Sequence, residues 1–132
     1  MNNSQPWQKY PLIRKPLEEV NQLIQATIRT PYSDLQDALL EMASNGGKYL
    51  RPSLLILSAQ IASKKETVSK QIIQLASSIE ILHMASLIHD DIIDDSDERR
   101  GKISIQARFG KDTAVYAGDL LFTHFFDLIS SP

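Results

Sequence analysis

Between Asp90 and Glu98 six of nine residues are acids: Asp90, Asp91, Asp94, Asp95, Asp97 and Glu98. Arg99 and Arg100 follow directly. Asp90 and Asp94, four apart, share one helical face about a turn from each other, and Asp91 and Asp94, three apart, are also neighbours. Like charges so placed weaken an isolated helix by about a few tenths of a kcal/mol each. A hard divalent cation reverses that cost. Mg2+ takes oxygen ligands, keeps several waters, and is typically held by one or two carboxylates together with substrate phosphates. Paired carboxylates on adjacent turns fit that role, and Asp97, seven from Asp90, falls close to the same line if the helix continues. The competing account is a solvated acidic helix end. The acids follow the apolar stretch 79–88 and interleave with Ile92 and Ile93, as where a mostly buried helix reaches a rim. Both accounts stand at this level.

The basic groups form a second set. In Gly46-Gly47-Lys48-Tyr49-Leu50-Arg51-Pro52 two glycines make a turn, and Lys48 and Arg51 lie three apart at a helix start. Backbone N–H groups at a helix N-terminus, with Lys and Arg beside them, make a natural diphosphate site. The order is not that of a GxxxxGK[ST] phosphate loop, and a helix cap with a solvated turn has the same composition. Arg99 and Arg100 either neutralise the adjacent acids or diverge to contact two anions across a cleft. His83 precedes Asp90 by two turns, roughly 10 Å, too far to join the same metal. It is either a satisfied core histidine or a hydrogen-bond donor to a group bound beside the metal. His89 and His124 are assigned structural roles only. The constellation describes a metal-bound diphosphate, a second anion site without metal, and aliphatic walls between them.

The elements that must position these groups read as helices. Residues 1–16 hold three of the six prolines (Pro6, Pro11, Pro16) and are expected to be an irregular arm, with Pro16 opening a helix. Leu17, Val20, Leu23, Ile24 and Ile28 form a helical stripe that Pro31 stops. Ser33 or Asp34 caps a second helix, which Asn45-Gly46-Gly47 ends. Arg51-Pro52 starts a third, apolar nearly all round from Leu54 to Ala62 and therefore expected to be buried. The longest spans about 67–95, roughly 42 Å at 1.5 Å per residue. Residues 103–110 read as a loop or short link. A final helix over 113–129, capped by Asp112, has apolar side chains on several sides and expects neighbours on most faces. No segment alternates with a period of two. The fold class is all-α.

Composition sets the bounds. The chain has 132 residues and a net charge of −2, with 42% hydrophobic and 23% charged residues and no cysteine. One domain with a real core is expected, and disorder, disulfides and thiolate chemistry are excluded. Outside residues 90–98, ten acids face 14 bases. The overall balance argues against nucleic acid as a partner. No uncharged apolar run approaches the ~20 residues of a bilayer span, and the first residues lack the apolar stretch of a secretory signal. The chain is expected to be cytoplasmic and not transmembrane.

Taken in order, GGKYLRP, then HMASLIHDDIIDDSDERRG, then ARFGKDTAVYAGDLLF resembles the N-terminal part of the trans-polyprenyl diphosphate synthases. These are head-to-tail prenyltransferases of the isoprenoid-synthase fold. The likeness is clearest from Gly46 to Phe122. It implies the N-terminal half of an isoprenoid-synthase helical bundle, residues 1–132 being one shortened polyprenyl synthetase domain. The family's first aspartate-rich motif, DDxxD, falls on Asp90, Asp91 and Asp94. By resemblance Asp90 and Asp94 bind Mg2+ bridging to an allylic diphosphate, and Arg99 contacts that diphosphate. Arg100, Lys48, Arg51 and His83 then hold isopentenyl diphosphate. The implied product is geranylgeranyl diphosphate or longer. Family members with short products carry bulky aromatics at the positions of Ala85 and Ser86, leaving Leu82 or later helices to set the limit here.

The chain also departs from the family. Members are at least twice as long and carry a second aspartate-rich motif on a later helix, whereas here Asp119 and Asp127 stand alone after Asp112. A fragment or a truncated relative is implied, inactive by itself and a homodimer in its full-length form. The alternative is a non-catalytic subunit of synthase type, or a partner that holds a diphosphate or lipid. A helical metal phosphohydrolase has only the pair His89-Asp90 in its favour and leaves the GGKYLRP segment unexplained.

Overall fold

The computed structural model describes residues 6–44 and 49–131. Gly46, Gly47 and Lys48, with the predicted glycine stop of the second helix, lie outside the described residues. A 3-10 turn, Pro6–Lys9, leads into six α-helices: α1 (Pro11–Thr27), α2 (Ser33–Ser44), α3 (Leu50–Ser63), α4 (Lys70–Ile93), α5 (Ile105–Phe109) and α6 (Lys111–Ser130). Between α4 and α5 lies a two-stranded antiparallel hairpin, β1 (Glu98–Arg99) and β2 (Lys102–Ile103). The fold is all-α apart from this hairpin.

The expected irregular arm is helical. Pro11 sits at the first position of α1, where its missing N–H would have no intrahelical partner anyway. Pro16 lies inside α1 and is buried. Its ring removes the bond that the Leu12 carbonyl would otherwise accept. The Gln60 amide repairs the loss, donating from Nε2 to Leu12 O at 2.9 Å and to Glu66 O at 2.6 Å. Pro11 is thus the helix opener, and Pro16, expected to open the helix, is an interior residue rescued from α3. Trp7 is buried and stacks on Tyr49 at 6.0 Å, fastening the N-terminal turn to the start of α3.

α4 is the axis of the bundle, packed against α6, α3, α1 and α5. Ser69 caps it, the side chain accepting from Ile72 N at 3.3 Å. By length and mean hydropathy alone α4 could cross a membrane; its packing on four other helices makes it the core helix. Leu17, Val20, Ile24, Leu39, Ile56, Ile81, Ile88 and Leu121 are essentially inaccessible, each contributing about 1.5–3 kcal/mol of burial.

The expected burial of α3 fails, and α6 keeps faces without neighbours. α3 buries only Pro52, Ile56 and Gln60, and leaves Leu50, Leu54 and Ile61 57–77% exposed. α6 turns its small residues inward (Ala114, Ala117 and Gly118, with Leu121) and exposes Val115, Tyr116, Phe126 and Ile129. An all-round apolar helix is buried only as far as neighbours exist to cover it, and periodicity does not count neighbours.

The α4–α6 seam is close because Gly118 lacks a side chain. A Cβ there would overlap the imidazole of His89, which lies 3.4 Å from the Asp119 carboxylate and 5.3 Å, ring to ring, from Phe122. Gly118→Ala should therefore lower stability by about 1 kcal/mol or more, overpacking outweighing the ~1 kcal/mol helix preference of Ala over Gly. In a His89→Ala background the same change should be neutral or stabilising. Urea unfolding midpoints of the four proteins give the comparison.

Candidate functional site

The end of α4 separates its carboxylates. Asp90 and Asp94 are exposed, whereas Asp91 is 5% exposed. The reason is one fork: Arg99 donates from Nε to Asp91 Oδ2 and from Nη2 to Asp91 Oδ1, both at 2.8 Å. Charge-assisted bidentate bonds of this kind are strong and geometrically exacting. They offset the desolvation of the buried carboxylate, and the bond to Asp91 is the largest influence raising the Arg99 pKa.

The chain between the two partners is folded to suit. α4 stops where Asp95 adopts a left-handed conformation, φ 53°, and Ser96 N donates back to Asp91 O at 2.9 Å. Such reverse bonding is a common way for a helix to end. The Ser96 carbonyl then accepts from Ser104 Oγ at 2.7 Å and Gln106 Nε2 at 2.6 Å. Arg100 and Gly101 both have positive φ, 55° and 77°, as a two-residue hairpin turn matching the strand twist requires. Glycine adopts that conformation freely. Arg100 adopts it at a cost, and such strain concentrates at functional sites.

A cavity of about 130 Å³ opens beside α4. Glu80, His83, Asp91, Arg99 and Arg100 lie along its polar side, and Ile24, Ala38, Met42, Met84, Leu87 and Ile105 along its apolar side. Arg51 reaches this group through Glu80, Nε to Oε1 at 3.2 Å. Burial, and then the positive field of Arg51, push the His83 pKa down; Arg100 and Arg99 act the same way, and Glu80 opposes them. His83 is thus half-buried and lies within the field of three guanidinium groups. The structure brings together Arg51, His83, Arg99 and Arg100, and leaves Asp90 and Asp94 exposed at the end of α4, Asp90 two turns beyond His83 on the same side of the helix. Lys48 lies outside the described residues.

The remaining assignments divide. Asp91 lines the cavity, and both its carboxylate oxygens accept from Arg99. Ala85 is fully buried in the core, whereas Ser86 is exposed, with its hydroxyl bonded to Leu82 O at 3.1 Å. The two do not share a face, and only Ser86 lies one turn from Asp90 on its own side. Leu82 is half-buried.

Among the described residues no three His, Asp or Glu side chains gather closely enough to hold a metal on their own. Asp90 and Asp94 nonetheless fit Mg2+ as a partial set. They are hard oxygen donors on one helix face, exposed, and among the described residues tied up by no ion pair. Phosphate oxygens and water complete such a shell.

Two residues went unnoticed in the sequence. Glu80 is the only acid in the apolar stretch before His83, and that isolation is the signal that could have found it. Tyr49, at the left-handed start of α3 with φ 53°, is buried and donates from its hydroxyl to Asn21 Oδ1 at 3.0 Å. Burial and, after it, the Glu80 charge push its pKa well above the ordinary value.

Residues 33–131 match the polyprenyl synthetase family model. The chain belongs to that family. It is 35% identical over 113 residues to heptaprenyl diphosphate synthase component 2 of Geobacillus stearothermophilus, covering 86% of this chain and 34% of that protein. Its structure superposes on the heptaprenyl diphosphate synthase of Staphylococcus aureus with a TM-score of 0.81 at 38% identity, covering 89% of this chain and 36% of the other. A geranylgeranyl pyrophosphate synthase from Lactobacillus brevis ATCC 367 gives 0.82 at 34% identity, covering 96% and 38%. The chain spans about a third of the length of these relatives. It has the isoprenoid-synthase helical arrangement over that portion.

The lowered His83 pKa fixes a direction for pH dependence. A histidine whose pKa is lower folded than unfolded destabilises the fold once protons bind. Its penalty is absent above about pH 6.5, grows as pH falls through that value, and levels off below the folded pKa. His83→Gln should flatten this part of the stability curve. Unfolding midpoints of parent and variant from about pH 8 to pH 5 measure the difference.

Proposed function

We propose that this chain supplies part of the active site of a Mg2+-dependent prenyltransferase. The enzyme joins isopentenyl diphosphate to an allylic diphosphate, giving a trans-prenyl diphosphate of geranylgeranyl length or longer. The observation that carries the reading is the end of α4: two exposed carboxylates on adjacent turns, next to a pocket lined by His83, Arg99 and Arg100. Family membership and relatives named as prenyl diphosphate synthases of several chain lengths support it.

In this reading Asp90 and Asp94 hold the metal and, with it, the allylic diphosphate. Mg2+ bound there supplies positive charge where the departing diphosphate becomes more negative. The C1–O bond breaks with its electron pair going to the diphosphate, and the allylic carbon becomes cationic. Arg51 and Arg100, with Lys48 and the neutral His83 as hydrogen-bond partner, anchor isopentenyl diphosphate. Its double bond then attacks C1, and the new cation passes a proton to the released diphosphate to form the product double bond. Arg99, fixed by Asp91, adds positive charge between the two anions. The apolar lining keeps water from the cation.

The test is a product assay with labelled isopentenyl diphosphate, Mg2+ and allylic primers of several lengths, on this chain and on an extended form. Elongation by the extended form alone is expected, since a second carboxylate cluster is absent from the 132 residues. Asp90→Ala in the extended form should abolish turnover, while Arg51→Ala should mainly raise the KM for isopentenyl diphosphate. An extended form that elongates no primer overturns the prenyltransferase reading. Product length has its own check. Ser86, exposed on the Asp90 side, is the position to fill, because Phe at the buried Ala85 would disrupt the core. Ser86→Phe should shorten the main product with activity retained, as read by chromatography of the dephosphorylated prenols.

A further inference from the structure

The two arginine–carboxylate pairs beside the cavity are built differently. Arg99 meets Asp91 with Nε and one terminal nitrogen, and its side chain is 28% exposed. Arg51 meets Glu80 with Nε alone, at 3.2 Å, and its side chain is 42% exposed against 9% for Glu80. The first arrangement spends the guanidinium on its partner. The second uses only the inner nitrogen, so that among the described residues both terminal nitrogens of Arg51 have no protein acceptor. A carboxylate as buried as Glu80 needs a partner, and a contact through Nε alone leaves the outer edge of the Arg51 guanidinium open to another acceptor. Glu80 also lies three residues before His83, on the same side of α4, and lines the cavity with His83, Arg99 and Arg100.

We propose that Glu80 is a positioning residue for the diphosphate site, gripping Arg51 by Nε so that its two terminal nitrogens point at a diphosphate. This deepens the proposed function and rests on its assignment of Arg51 to an anion site. The negative charge of Glu80 works against anion binding, so its role is separable from simple electrostatics. Taking away its charge alone should not weaken binding, whereas removing the acceptor should.

The experiment is calorimetric titration of the purified chain with inorganic pyrophosphate at fixed salt. Arg51→Ala should weaken binding by about tenfold or more, the scale of a lost charge-assisted contact. Glu80→Ala should weaken it by about five- to tenfold. Glu80→Gln keeps an acceptor for Nε and should stay within about threefold of the parent. In an Arg51→Ala background Glu80→Ala should add nothing. Glu80→Ala binding as tightly as the parent, or weakening binding equally with and without Arg51, overturns the positioning role alone. A parent that does not bind pyrophosphate overturns the diphosphate reading and this role with it. Should Glu80→Ala fail to fold, the arginine Nε–H resonance of the parent decides. It should stay protected when pyrophosphate is added, and loss of protection would show that Arg51 leaves Glu80 to bind and overturn the proposal.

Discussion

The fork from Arg99 to Asp91 governs the arrangement of everything around it. It ties a hairpin to the last turn of the central helix across eight residues of sequence. A buried carboxylate left alone would be strongly destabilising, so the hairpin must return to α4 at this register. The left-handed turn at Asp95, the bonds to the Ser96 carbonyl and the strained Arg100 all follow from that closure. With Asp91 drawn inward, Asp90 and Asp94 are left on the outer face of the same helix. One ion pair thus sorts a run of like charges into a buried anchor and an exposed pair of donors.

The same helix must serve two masters physically. Its first turns are core, enclosed by α1, α3 and α6, and its last turn is a charged rim. Glu80 and His83 lie at the transition, where burial is deep enough to shift pKa values and the arginines are close enough to matter. Low local dielectric strengthens each of these interactions and penalises each unpaired group. That is why both buried carboxylates, Glu80 and Asp91, have an arginine partner.

Much of this was legible in the sequence because helices announce themselves by period. The stripe from Leu17 to Ile28, the long α4 and the acidic run at its end were all placed from spacing. That Asp90 and Asp94 share one exposed face was legible for the same reason, since they are four apart. Long-range pairings were not. Nothing local tells Asp91 from Asp90, because only the return of Arg99 makes one of them buried. Pro16 reads as a helix opener until Gln60, 44 residues later, supplies the bond its ring removes. The two-residue strands and five-residue α5 are too short to show a period, and the exposed apolar sides of α3 and α6 depend on neighbours that periodicity cannot see.

The central claim is that Asp90 and Asp94 are metal-facing while Asp91 is an anchor. The most direct measurement is pyrophosphate affinity with and without Mg2+ for three single variants, each checked for folding by circular dichroism. Asp90→Asn and Asp94→Asn should stay folded and lose the Mg2+-dependent part of the affinity. Asp91→Asn should lose stability yet keep its response to Mg2+. A folded Asp91→Asn that loses the Mg2+ response as completely as the other two would contradict the account.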